Sequence, residues 1–366
     1  MKKFQVKVPG KLYVAGEYAV VEPGYSAIAI AVNKFVYLTI ESALSDFGTI
    51  FSNGYTKEAV RWRRVDGKVM LDTQSPELDY VLSAVHTVEE YVESFEVDLK
   101  AYHLNLRSEL DSASGEKFGL GSSGAVTVAV VRGLLELYEI EINELLVYKL
   151  SVISQMKLGV NSSFGDLATS SFTGWVRYTN FDHTSVSTAL LEKPLFDIVN
   201  MEWLRLQIES LTVTSEIRFL IGWTGSPVSS HNLVGNVQKK KAQSVNDYEH
   251  FLFESKASVD LLTQALLDYD PVKIKLAISK NRQALLRMGT QTNVVIETPL
   301  LTELCEIANH FGGAGKTSGA GGGDSGIAFY FAENSKINIL KHWESVGITH
   351  LPIEVYTDNS LITKSE

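Results

Sequence analysis

Residues 119–130 read GLGSSGAVTVAV. Glycines accept backbone angles closed to other residues and let a ligand approach the main chain. A helix that begins directly after them presents unpaired N–H groups and a partial positive charge. Together these make an anion site, and phosphate is the anion such sites commonly take. Ser122 and Ser123 add hydroxyls that can bond a phosphate oxygen or a metal ion. The same letters also fit a glycine turn and a serine cap before a core helix. GxxxxGK followed by Ser or Thr is absent, so the stretch is not a Walker A loop. Lys117, two residues upstream, is either a cation for outer phosphates or a solvated surface lysine.

A second cluster, residues 312–326, holds eight glycines in fifteen positions. That density excludes a helix or a regular strand. Apolar segments flank it closely, and Lys316, Thr317, Ser318 and Asp324 lie inside it. A loop wrapping polar ligand groups accounts for this better than a linker. Other polar residues admit plainer readings. Asp166 follows a glycine and precedes an apolar run, which is a common helix cap. His231 after Ser229 and Ser230 suits a helix start. Asn281, Arg282 and Arg287 share a helix, where an arginine could reach an anion or lie in solvent. Lys239, Lys240 and Lys241 read as a solvated helix face.

The elements that must position these residues mix strands and helices without a steady βαβ beat. FVYLTIES (35–42) alternates, with Val36, Leu38 and Ile40 on one side. YSAIAIAV (25–32) precedes it across Asn33-Lys34, which predicts a hairpin. Residues 101–110 read as a further strand. Between them Ser75 and Pro76 open a helix with Leu78, Val81, Leu82, Val85, Val88 and Val92 on one face. Helices follow over 122–139 and 143–158, the second capped by Asn143, and a strand over 172–179. A charged stretch, 181–215, reads as an irregular passage between domains. The second half opens with a strand at 216–223. Helices near 246–268, 272–288 and 299–310 come next, the third opened by Thr298-Pro299. IAFYF and HLPIEVY close as strands. The class is α+β, two layers, twice, with no internal repeat.

Composition bounds the rest. The chain has 366 residues, 45% of them hydrophobic, enough for two cores. A formal net charge of -10 argues against nucleic acid as the main partner. Cys305 is the single cysteine, so no internal disulfide forms and a reducing compartment fits. The N-terminus makes a poor signal peptide. No apolar run approaches the ~18 residues of a spanning helix. A soluble, cytoplasmic protein without a membrane partner is the expectation.

Three motifs occur in order: VPGKLYVAGEYAVVEPG (8–24), KFGLGSSGAVTVAV (117–130) and KTSGAGGGDSG (316–326). The triplet resembles the GHMP kinase superfamily. Within it, PGKLYVAGEYAV, FGLGSSGAV, IGWTGSPVSSH and TSGAGGGDSGIA are most similar to the bacterial phosphomevalonate kinase branch. The resemblance implies an N-terminal ATP-binding domain (1–190) related to a ribosomal-protein domain. It implies a ferredoxin-like C-terminal domain (191–366), with the active site between them. It implies ATP and Mg²⁺, and phosphoryl transfer to (R)-5-phosphomevalonate, giving (R)-5-diphosphomevalonate for isoprenoid precursor synthesis. A mevalonate kinase, or a non-catalytic relative that binds ATP or a metabolite, remains the alternative. Oligomeric state is left open.

The resemblance also assigns roles. Lys11 and Asp166 would be catalytic. Lys117, Gly119, Leu120, Gly121, Ser122, Ser123, Gly124 and Ala125 would hold ATP, with Ser123 on Mg²⁺. Glu17, Tyr18, Ser162, Ser163, Ser229, Ser230 and His231 would border the substrate. So would Ser318, Gly319, Ala320, Gly321, Gly322 and Asp324. Glu17 could instead hold Lys11 in place. Gln155 is a departure, since mevalonate and galactose kinases tend to carry a metal-binding glutamate about there.

Overall fold

Lys3–Ala15 (β1) and Ser26–Ser42 (β2) run antiparallel over most of their length. Here the predicted hairpin fails, because residues 26–42 form one strand. Asn33-Lys34 lacks the glycine that a two-residue turn favours. Asn33 N–H instead donates to Glu354 O, and the Asn33 side-chain carbonyl accepts from Glu354 N–H, so position 33 stays extended. The alternation itself holds: Val36, Leu38 and Ile40 are fully buried. The computed structural model describes residues 2–110, 118–225, 230–241, 245–358 and 361–364, with backbone alone at 230–232 and 364.

Around β1 and β2 a larger sheet forms. It adds Phe47–Ser52 (β3), Val60–Val65 (β4), Lys68–Leu71 (β5), Tyr102–Ser108 (β6), Trp175–Thr179 (β7) and Gln207–Leu211 (β8). A smaller sheet holds Arg218–Trp223 (β9), Ala314–Thr317 (β10), Ser325–Tyr330 (β11) and Thr349–Leu351 (β12), in the order β10-β11-β9-β12. The glycine cluster expected to exclude a strand thus contains β10 and the start of β11, paired antiparallel. Ile362–Lys364 (β13) returns to pair with β1. The larger sheet is thus drawn from both sides of residue 190. Its pairs are antiparallel except β3 with β6.

Asp79–Glu93 (α1), Ser122–Leu137 (α2), Glu144–Lys157 (α3) and Gly165–Phe172 (α4) pack together, with α2 and α4 on β1 and β2. α2 is apolar nearly all round and buried accordingly. Asn143 caps α3, accepting from Leu146 N–H at 2.8 Å. Ser75 does not cap α1: its side chain makes no capping bond, and Pro76–Leu78 form a short 3₁₀ turn first. The stretch expected to be irregular contains His183–Glu192 (α5), Leu195–Asn200 (α6) and β8. Asp182 caps α5, and Trp203, Ile198 and Val199 are buried.

In the second half, Ser230–Lys240 (α7) precedes a hairpin of Val245–Leu267 (α8) and Pro271–Thr292 (α9). Pro299–His310 (α10) and Glu333–Ser345 (α11) pack on the smaller sheet. Thr298 caps α10, accepting from Leu301 N–H at 3.3 Å. Arg282 is not a solvated arginine: it makes a two-pronged ion pair with Glu297 and reaches Glu306. Nor are all three lysines of the charge run free. Lys240 donates to Thr292 O, and Lys241 pairs with Glu22 at 2.8 Å. Among the described residues no helix is long and apolar enough to cross a membrane.

Candidate active site

A cleft of about 990 Å³ opens over the start of α2. The glycine loop reaches it because β1 holds the loop directly: Lys11 N–H donates to Leu120 O at 2.8 Å. The Lys11 side chain then crosses Gly121, where a Cβ would lie 3.0 Å from Cε. Gly121 has φ +78° and is the residue before α2, so a side chain is disfavoured by conformation as well as by space. The loop delivers Ser122 and the exposed Ser123 to the helix start. Gly124 and Ala125 follow, buried, in the first turn. Residue types, helix polarity and exposure together make an anion cradle.

Lys11 Nζ donates to Gly119 O at 3.1 Å and lies 5.1 Å from the Tyr13 ring centroid. Burial pulls its ammonium below the ordinary value of 10.5, and Asp166, Asp324 and Glu17 oppose that shift, in that order. Lys11 and Tyr13 sit two residues apart on a strand and so share a face. That spacing was the available signal for Tyr13, which the motif reading passed over.

Asp166 occupies the first turn of α4, after Phe164 in a left-handed conformation. Its carboxylate lies against α2: a Cβ on Gly124 would come within 2.6 Å of Oδ2. Burial raises the Asp166 pKa, while Lys11 and the N–H groups of Leu167 and Asp166 pull it down. Lys11 and Asp166 therefore stabilise one another's charge across the cleft, while the ammonium is hydrogen-bonded to a backbone carbonyl. Gln155 also lines the cleft, its Nε2 donating to Thr127 Oγ1 at 3.1 Å.

Glu17 has a different cation from the one expected. Its Oε1 accepts from the fully buried Lys316 and from Gly319 N–H. Oε2 is buried with no hydrogen-bond partner. The second glycine loop is laced to the N-terminal motif at two further points. Tyr18 OH donates to Ala320 O at 2.6 Å, and Ser318 Oγ donates to Tyr13 O at 2.7 Å. Gly322 N–H donates to Ile296 O. Glu17, Tyr18, Gly319, Ala320 and Asp324 line the main cleft; Ser318 and Gly321 line a small cavity behind Lys11.

The far wall carries Ser162 and Ser163, the latter sharing a hydrogen bond of 3.0 Å with Tyr13 OH. His183 stands beside them, between Asn161 and Asn180, and burial lowers its pKa. No sequence signal marked His183, which falls in the stretch read as a linker. Lys117 and Ser229 lie outside the described residues, while Ser230 and His231 begin α7. α7 borders the cleft through Val234, Gly235 and Gln238. Glu22 anchors it, accepting from Gln238, Lys241 and Tyr248.

The arrangement can hold a polyphosphate at the α2 start, neutralise it with Lys11, and seat an acceptor toward Ser162, Ser163 and His183. A hard cation fits by hydroxyl rather than by a carboxylate cage. Among the described residues no three His, Cys, Asp or Glu gather around one point. Ser123 is the exposed oxygen at the cradle, and Mg²⁺ commonly completes its shell with phosphate oxygens and water.

The chain is similar to proteins of one kinase family. The family model for the GHMP kinases N terminal domain matches residues 79–174, and that for the GHMP kinases C terminal matches 264–349. The chain is 34% identical to a phosphomevalonate kinase of Streptomyces sp. (strain CL190), over 94% of this chain and 95% of that protein. A Lin0012 protein from Listeria innocua superposes with a TM-score of 0.92 at 37% identity, covering 100% of this chain and 99% of the other. The Streptococcus pneumoniae phosphomevalonate kinase in complex with phosphomevalonate and AMPPNP superposes at 0.85, with 31% identity over 96% and 99%.

Proposed function

The chain belongs to the GHMP kinase family, and from that premise we propose that it transfers the γ-phosphoryl group of ATP to the phosphate of (R)-5-phosphomevalonate. The products are (R)-5-diphosphomevalonate and ADP, within the mevalonate route to isoprenoid precursors. The observation that carries the reading is the Lys11 side chain laid across Gly121 at the start of α2. It puts a cation beside the cradle where charge is transferred.

Phosphoryl transfer relies mainly on positioning and electrostatics. The N–H groups around Gly121 to Gly124, with Ser122, hold the donor phosphates. Ser123 is the residue that would hold Mg²⁺, which when bound offsets charge on the phosphate oxygens. Lys11 stabilises the group in flight. Ser162 and Ser163 seat the acceptor. The acceptor phosphate has its second pKa at about 6 and is mostly ionised near pH 7. A general base has little proton left to remove. Asp166 accordingly keeps Lys11 charged and balances the site. The protein acts in the cytoplasm, and residues 1–190 carry most of the nucleotide site.

The test is ADP release with phosphomevalonate, mevalonate, homoserine and galactose assayed in parallel. Turnover with phosphomevalonate is expected to dominate. Preference for mevalonate would replace the acceptor assignment, and no turnover with any of the four would favour a binding protein.

A further inference from the structure

Lys11 has three carboxylates around it from three elements, Asp166 on α4, Asp324 between β10 and β11, and Glu17 after β1, with the Tyr13 ring below. Each carboxylate is placed differently. Glu17 is engaged by the buried Lys316. Asp166 faces the cleft from the α2 side. Asp324 lies against Gly119 of the phosphate loop, on the border of the main cleft and the small cavity, and is 9% exposed. Its Oδ2 abuts Gly119, where a Cβ would come within 2.7 Å. Gly119 is the residue whose carbonyl holds Lys11 Nζ.

The backbone at Asp324 is arranged for this placement. It has φ +60°, uncommon for a residue with a side chain and tolerated best by Asn and Asp. Thr224 fixes it, donating both N–H and Oγ1 to Asp324 O at 2.9 Å. The neighbouring Ser325 Oγ donates to Phe118 O, and Phe118 packs edge-on against Trp223 at 5.5 Å. Lys11, Gly119, Ser318 and Asp324 are among the residues that line a cavity of about 20 Å³. That volume is enough for one water molecule, and the lining is polar.

We propose that Asp324 is a positioning residue for Lys11: its carboxylate buttresses Gly119, whose carbonyl holds the ammonium, and supplies counter-charge across the water-sized cavity. Asp324 thus acts on the reaction through Lys11 and the loop, from the opposite half of the chain, and does not hold the acceptor. The inference rests on the kinase reading above.

Asp324→Asn keeps shape and removes charge. Wild-type turnover of phosphomevalonate, measured alongside, tests the kinase reading separately. The expected result is a fall in kcat of about tenfold, with KM for both substrates within about twofold. The alkaline limb of kcat should move to lower pH, because Lys11 loses a favourable neighbour. A purely structural role would not move that limb. Thr224→Val removes the Oγ1 hydrogen bond to Asp324 O and keeps the backbone one, without touching the carboxylate, and should shift kcat and the limb the same way by less. It also serves if the first variant fails to bind ATP. A raised KM for phosphomevalonate with unchanged kcat would make Asp324 an acceptor ligand and overturn the proposal. So would an alkaline limb unmoved in both variants.

Discussion

The two glycine loops look alike in sequence and are built for different work. Residues 119–121 run into α2, so the loop ends on the N–H groups of the first helical turn and on serines that line the cleft. Residues 318–324 turn between β10 and β11, with hydrogen bonds to Tyr13, Glu17, Tyr18 and Ile296. In the first loop, glycine lets the Lys11 side chain approach, a Cβ on Gly121 lying 3.0 Å from Cε. In the second, it lets the chain's own backbone approach: a Cβ on Gly321 would lie 2.2 Å from Ile296 O. What lies nearest the required glycine differs, a side chain at Gly121 and main chain at Gly321.

Substitutions can break that contrast. The largest effect is expected from Lys11→Met, which removes the charge at the first loop and keeps the length. kcat should fall by about 10²-fold or more, the scale for losing one such stabiliser. A change of a few-fold would make the lysine structural. Gly121→Val comes next. It should weaken nucleotide binding by about 10²-fold, the loss of one charge-assisted hydrogen bond worth about 3 kcal/mol. Calorimetric titration of the folded variant reads this directly, and normal affinity would remove the loop from the phosphate site.

At the second loop, Gly321→Ala should act on stability. A clash with fixed backbone costs about 1–3 kcal/mol, visible as a lower Tm, while the nucleotide affinity of folded protein stays within about threefold. Loss of nucleotide binding without loss of stability would erase the distinction between the loops. The smallest effect concerns pH. Lys11 is held below 10.5 by burial. Its charged form is complete below the shifted value and lost as pH rises through it, so the alkaline limb should lie below 10.5. Asp166→Asn removes the larger opposing carboxylate and should move that limb further down than Asp324→Asn does. The acidic limb should stay, since it follows the substrate phosphate. Its disappearance in Asp166→Asn would make Asp166 the titrating base.

Much of the fold was legible because long apolar periodicities survive tertiary context. α2 and α3 fall where the pattern placed them, and Thr298-Pro299 marks the start of α10. β2 was misread because its junction is held by residue 354, far along the chain. β3, β4 and β5 passed unread; in β4, charged Arg61 and Arg63 flank the fully buried Trp62 and mask the strand. α5 and α6 are short, and Leu191 stands 89% exposed, so no apolar face shows. In the site, motif residues near one another in sequence were readable. The Glu17–Lys316 pair joins residues 299 positions apart, and nothing in either motif names its partner.

The account stands on transfer to a phosphate oxygen rather than to an alcohol. ³¹P NMR of the products formed from ATP and phosphomevalonate reads that bond directly. The account predicts two coupled resonances of a new diphosphate monoester appearing together with ADP, and their absence with Lys11→Met. A second, uncoupled monoester resonance, with the original phosphate unchanged, would place the new group on a hydroxyl and contradict it.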